Sequence, residues 1–136
     1  MKKEIIHDTF FLSQKSSAAS QEDIYIADDL ADTLKANSET CVGLAANMTG
    51  HAKRIIVFFD GEKIIEMFNP EIIAQKFPYE AEEGCLSLSG TRKTKRYKLI
   101  KVKWQNRDFQ YRIKNFTDFT AQIIQHEIDH CGGILI

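Results

Sequence analysis

The chain has no apolar run approaching the roughly 18 residues that a membrane span requires, so it offers no candidate transmembrane segment. Neither sign of charge is in excess. The net value of −1 argues against a global field suited to nucleic acid or to an anionic membrane. Lys2 and Lys3 open the sequence without a signal-peptide core behind them, and the expected compartment is the cytoplasm. Cysteine is scarce and odd in number. Cys41, Cys85 and Cys131 cannot all pair, and in a reducing compartment a metal-binding or catalytic thiolate is the leading use for at least one. Repeats and low-complexity segments are absent. What is present is ordinary for a soluble globular protein: 43% hydrophobic and 27% charged residues. A length of 136 residues suits one domain, 1–136, with a core that needs no cross-links.

The local basic cluster Arg92, Lys93, Lys95, Arg96 and Lys98 reads as a solvated edge strand or loop. A minor role in holding an anionic substrate terminus stays open. Earlier in the chain, Ser20 with Asp23 makes a helix start, and Ile24, Ala27, Leu30, Ala31 and Leu34 follow helical spacing. An amphipathic helix is expected over 21–37, stopping near Asn37-Ser38. Residues 54–59 and 63–68 form a hairpin around Asp60-Gly61, and Asn69-Pro70 is expected to end that pairing. Glu71 to Ala74 continues extended or as a short turn. Residues 97–104 alternate as a half-buried strand, and Phe109, Tyr111 and Ile113 as another. Thr117 or Asp118 caps a final helix, which Gly132-Gly133 stops, and Ile134 to Ile136 is expected to add a short strand. A strand-rich middle followed by a helix argues for an α+β fold, with antiparallel sheets packed around the C-terminal helix.

That last helix carries Gln125-His126-Glu127-Ile128-Asp129-His130. Residues i and i+4 share a face one turn apart, so His126 and His130 can point their imidazoles at one metal ion. Glu127 can then reach a water on that metal and take its proton. Phe119, Ile123, His126 and His130 run down one stripe, so the ligand face lines a buried pocket. A catalytic metal keeps three protein ligands and one open position. The best remaining donor is Cys85, set among small and polar residues behind Gly84; its bland alternative is a small buried hydrophobe. A zinc peptidase would need a third ligand beyond His130, and none of the six following residues is His, Asp or Glu.

Three segments together resemble the peptide deformylases: Gly43-Leu44-Ala45-Ala46, Glu83-Gly84-Cys85-Leu86-Ser87 and Gln125 to His130, with Asn69-Pro70-Glu71 a fourth match. The resemblance spans roughly 21–136. It implies a metal-dependent hydrolase that removes the N-formyl group from N-formylmethionyl peptides. It further implies that Cys85, His126 and His130 hold Fe²⁺, with Zn²⁺, Ni²⁺ or Co²⁺ as alternatives. In that mapping Glu127 handles the proton and the backbone N–H of Leu86 donates to the oxyanion. Val42, Gly43, Phe119 and Ile123 line the pocket for the methionine side chain, although Phe119 and Ile123 read equally well as plain core. Glu83 and Arg92 match positions near the peptide backbone. Asp129 is either an outer support of the site or a surface carboxylate, and Gln125 either supports the cysteine loop or faces solvent. The partner is a formylmethionyl peptide, with nascent chains at the ribosome as an open extension; neither direct nucleic-acid binding nor a membrane is expected.

The sequence departs from the family pattern at Ser89, where the family often has Pro, and, with more bearing on the chemistry, in the first motif. Cys41 stands for its opening Gly, as a small-residue replacement, and Met48 for its closing Gln. In the family that Gln amide donates to the oxyanion, and a thioether cannot donate. An alternative follows: a deformylase-like protein that binds metal or peptide with weak or no turnover. Asn47 carries an amide one position earlier, but neighbouring side chains in an extended segment point opposite ways.

Overall fold

The computed structural model describes residues 1–136. A short helix α1 (Thr9–Leu12), unforeseen in the sequence, precedes a 3₁₀ turn at Gln21–Asp23 and helix α2 (Ile24–Ala36). Asp23 starts α2 as expected: its carboxylate accepts from the Ser20 N–H at 2.8 Å. The buried stripe of α2 runs through Ile26, Ala27, Leu30, Thr33 and Leu34. It is rotated slightly from the one the spacing suggests, since Ala31 is only half-buried.

Five antiparallel strands form one sheet in chain order: β1 (Gly43–Ala45), β2 (Ile55–Asp60), β3 (Lys63–Gly84), β4 (Thr91–Gln105) and β5 (Tyr111–Thr117). The β2–β3 hairpin closes at Asp60 and Lys63, with Gly61 at φ 66. Asn69-Pro70 does not end β3. The strand runs on to Gly84, and the register shifts between Phe68 and Glu71 and again between Ile72 and Ala74. Pro70 has no N–H for the ladder, and a bulge is where a strand tolerates that. Asn69 adopts φ 53, and its amide is tied to both backbone groups of Ala19 and to Gln105.

The extension of β3 pairs with residues 91–98, so the basic cluster lies on a hydrogen-bonded ribbon. Lys93, Lys95 and Lys98 are exposed, as expected. Arg96 is not: it is only 3% exposed, on the inward side that it shares with the half-buried Arg92 and Thr94. β5 starts later than expected, since Phe109 sits in a left-handed turn (φ 58) against Phe68.

Helix α3 (Asp118–Cys131) packs against β1, β2 and β4. Thr117 is its N-cap, without a side-chain capping bond, and Gly132 its C-cap. Ile134 to Ile136 forms no strand. Instead the chain turns back at Gly133, whose φ is 76. A Cβ there would stand 2.5 Å from the Ser13 carbonyl oxygen. Gly133→Ala is therefore expected to destabilise the fold by at least the ~1–3 kcal/mol of an ordinary left-handed residue, read as a lower urea midpoint.

Candidate functional site

Helix α3 brings His126 and His130 together as its spacing requires. The ring centroids are 4.8 Å apart and the two Nε2 atoms 3.1 Å apart. Cys85 arrives from the loop between β3 and β4, and its Sγ lies 3.4 Å from His130 Nε2. The three donor atoms all fall within 4.8 Å of one another. A thiolate and two imidazoles make a borderline-soft donor set, and three donors meeting at one point beside a cavity fit a divalent ion with an open position.

His126 has its second ring nitrogen engaged. Nδ1 donates to Glu83 Oε1 at 2.8 Å, which fixes the tautomer and turns Nε2 towards Cys85 and His130. Glu83 is buried, and Arg96 grips both its oxygens, Nε to Oε2 at 2.9 Å and Nη2 to Oε1 at 2.7 Å. Arg96 also holds Asp129 at 2.6 Å. Burial pushes the Glu83 carboxyl up, but His126, Arg96 and Gln122 donate to the charged form and hold it at about 2. The imidazoles split. Burial lowers both; nearby Cys85, Glu127 and Glu83 raise His126 to about 10, whereas His126 itself helps to depress His130 to about 3.

Glu127 lies on the same turn, 4% exposed, and its Oε1 has no hydrogen-bond partner in the protein. Burial, with Glu83 adding repulsion, lifts its carboxyl to about 7. Packing holds it in place: a Cβ on Gly43 would stand 2.9 Å from Glu127 Oε2 and 2.9 Å from an Ile123 methyl. Strand β1 thus needs a glycine where it passes the carboxylate.

These groups face a cavity of about 520 Å³, which Val42, Gly43, Leu86, Phe119 and Ile123 also line. Phe119 is 60% exposed and Val42 42%, so both are rim residues and Phe119 is not core; Ile123 is buried. Leu86 follows Cys85 in a loop without regular structure, and His7 Nδ1 donates to the next carbonyl, Ser87, at 3.0 Å.

Glu83 lines the cavity, with its oxygens taken by His126, Arg96 and Gln122. Other expectations need correcting. Arg92 is half-buried with one guanidinium nitrogen unpartnered, and it does not line the cavity. Gln125 neither supports the cysteine loop nor faces solvent: it is buried and clamps both backbone groups of Tyr97 at 2.9 Å. Asn47 does not take over from the missing amide. Residues 46–49 form a 3₁₀ turn, and Asn47 Nδ2 donates to the His130 carbonyl at 2.9 Å. Met48 lines the cavity with its sulfur 3.5 Å from the Ala45 N–H. Cys41 and Cys131 are buried thiols, pushed by burial up to about 12, and Cys41 donates to the Gly43 carbonyl.

Sequence reasoning missed Arg96 and Gln122. Arg96 is hidden within a run of exposed lysines, but Gln122 stands four residues before His126, and that spacing was available.

Residues 4–136 match the family described as polypeptide deformylase. A peptide deformylase from Clostridium beijerinckii is 55% identical over 136 residues, covering 100% of each chain. One from Thermoanaerobacter pseudethanolicus is 40% identical over 111 residues, covering 81% of this chain and 69% of its own. Among solved structures, the Met-Ala-Ser-bound class I type b peptide deformylase from Acinetobacter baumannii superposes with a TM-score of 0.89 at 26% identity, covering 99% of this chain and 97% of that one. Peptide deformylase from Thermotoga maritima gives 0.87 at 29% identity, covering 99% and 95%.

Proposed function

The chain belongs to the polypeptide deformylase family, and from that premise we propose that Cys85, His126 and His130 hold the divalent metal of its reaction. The protein is a hydrolase that removes the N-formyl group from peptides of newly made proteins. The observation that carries the ligand reading is the convergence of those three donors within 4.8 Å, with Glu127 on the same helical turn. Fe²⁺ is the ion we favour in the cell, from the family resemblance, with Zn²⁺, Ni²⁺ or Co²⁺ compatible with the same donors.

A divalent cation held by Cys85, His126 and His130 would supply Lewis acidity to a carbonyl oxygen and to water. Glu127 takes a proton from the attacking water as the water oxygen bonds to the formyl carbon, and delivers that proton to the amine as the C–N bond breaks and formate leaves. A carboxyl raised to about 7 by burial is suited to both halves of this transfer. The Leu86 N–H donates to the carbonyl oxygen as it gains charge. Val42, Gly43, Phe119 and Ile123 receive the methionine side chain, an apolar setting for an unbranched thioether. Residues 1–136 act as one domain in this reading, supported by one cluster of 25 buried residues. The proposed compartment is the cytoplasm, supported by three free cysteines, and the proposed substrates extend to nascent chains at the ribosome.

Met48 leaves the oxyanion with one fewer donor than the family pattern. The test is hydrolysis of an N-formyl-Met peptide by anaerobically prepared, Fe²⁺-loaded protein, alongside Met48→Gln. Wild type is expected to turn over, and the variant to gain up to about 10²–10³ in kcat, the value of one such donor. An unchanged rate in the variant would show that the oxyanion is held by other groups.

A further inference from the structure

One polar group in the cavity wall has no part in the mechanism above. Gln122 stands on α3 one turn before His126, half-buried, and lines the cavity. Both ends of its amide are engaged. Nε2 donates to Glu83 Oε2 at 2.9 Å, and Oε1 accepts from the Tyr79 hydroxyl at 3.2 Å. The other oxygen of Glu83 accepts from His126 Nδ1. A continuous chain therefore runs from Tyr79 on β3, through Gln122 and Glu83, to a proposed metal ligand.

Arg96 already grips Glu83, so what Gln122 adds must be a different constraint. Arg96 and Glu83 belong to paired strands, and their contact fixes the carboxylate relative to the sheet. His126 belongs to α3. A slip of the helix along the sheet is opposed at Asp129, which Arg96 holds three residues after His126, but that contact bears on the guanidinium and not on the carboxylate that His126 uses. Gln122 binds the same carboxylate from the helix side, four residues from His126. The acceptor-only Glu83 carboxylate selects Nε2 as the end that faces it, and the Tyr79 hydroxyl then donates to Oε1, tying the amide back to β3 and holding its plane.

We propose that Gln122, oriented by Tyr79, is a positioning residue that registers the Glu83 carboxylate to α3 and so keeps His126 aimed at the metal site. The proposal rests on the ligand reading given above. It also accounts for a polar residue in a pocket built for an apolar side chain: both ends of the amide already hold partners.

The experiment uses full-length protein loaded with Co²⁺, whose visible absorption reports ligand geometry. Outer partners of metal-bound histidine contribute about 10–100-fold in metal affinity, and Gln122 acts one bond further out. Gln122→Met keeps the side-chain length and removes both hydrogen bonds. It is expected to speed metal release to a chelator by about 3–10-fold and to shift the Co²⁺ spectrum, with the melting temperature of the metal-free chain unchanged. Tyr79→Phe, which loses only a hydroxyl, should move both readouts in the same direction by less. If wild type binds no Co²⁺, the ligand reading itself fails. If wild type binds and Gln122→Met keeps its release rate and spectrum, the positioning role is overturned. A fall in melting temperature alone would also overturn it, as the mark of a purely structural residue. Should Gln122→Met not fold, unchanged release and spectrum in Tyr79→Phe overturn the proposal in its place.

Discussion

Glu127→Gln is expected to lower kcat by about 10²–10⁴-fold while metal content stays at the wild-type level, because the change removes a proton carrier and not a ligand. The buried carboxylate has no hydrogen-bond partner at Oε1, so no neighbour is left stranded by the substitution. Its shape is nearly conserved, which matters because Gly43 and Ile123 leave little room around it. Metal analysis and single-turnover hydrolysis of an N-formyl-Met peptide, run on the same preparation, separate the two effects. A loss of less than tenfold would mean that another group moves the proton. Loss of metal together with rate would mean that Glu127 supports the site instead.

Cys85→Ser is expected to do the opposite, emptying the site while leaving Glu127 in place. A serine hydroxyl is a hard, protonated donor where the site offers a soft thiolate. The expected fall in affinity exceeds about 100-fold, the upper end of what an outer partner contributes, since a direct ligand is lost. Cys41 does not replace it: burial holds that thiol protonated, and its S–H is directed to the Gly43 carbonyl. Competition against a chelator of known affinity reads the change. Retained stoichiometric binding at wild-type affinity would refute the ligand assignment.

The helix-borne half of the candidate site was legible from sequence. His126, Glu127 and His130 depend only on helical geometry, and α3 delivers them as the spacing demands. Cys85 was legible as a donor by elimination and by motif, but its approach to His130, 45 positions away, depends on how far the β3–β4 ribbon extends. That extent was concealed. Asn69-Pro70 carries every sign of a strand terminator, and only tertiary pairing shows that a bulge absorbs it. The Glu83–Arg96–Asp129 network was concealed for a related reason. Its members meet across a strand pair and a helix, and side-chain partnerships of that kind follow register, which local pattern does not specify. Asn47 shows a third limit. The alternation rule assumes extended backbone, and a 3₁₀ turn at Ala46–Thr49 sends its amide to the end of α3.

The long β3–β4 ribbon also bears on how the protein reaches its native state. Its hydrogen bonds join residues close in sequence only near the Gly84–Thr91 end; towards Phe68 and Gln105 the partners lie far apart. Zippering can therefore start beside Cys85 and travel away from it, each step closing a slightly longer loop at small added entropic cost. The cysteine loop then forms with the first turns of the hairpin, while the histidines wait for α3 to dock. In this order the thiolate arm of the candidate site is built early and locally, and the imidazole arm late and by long-range collapse.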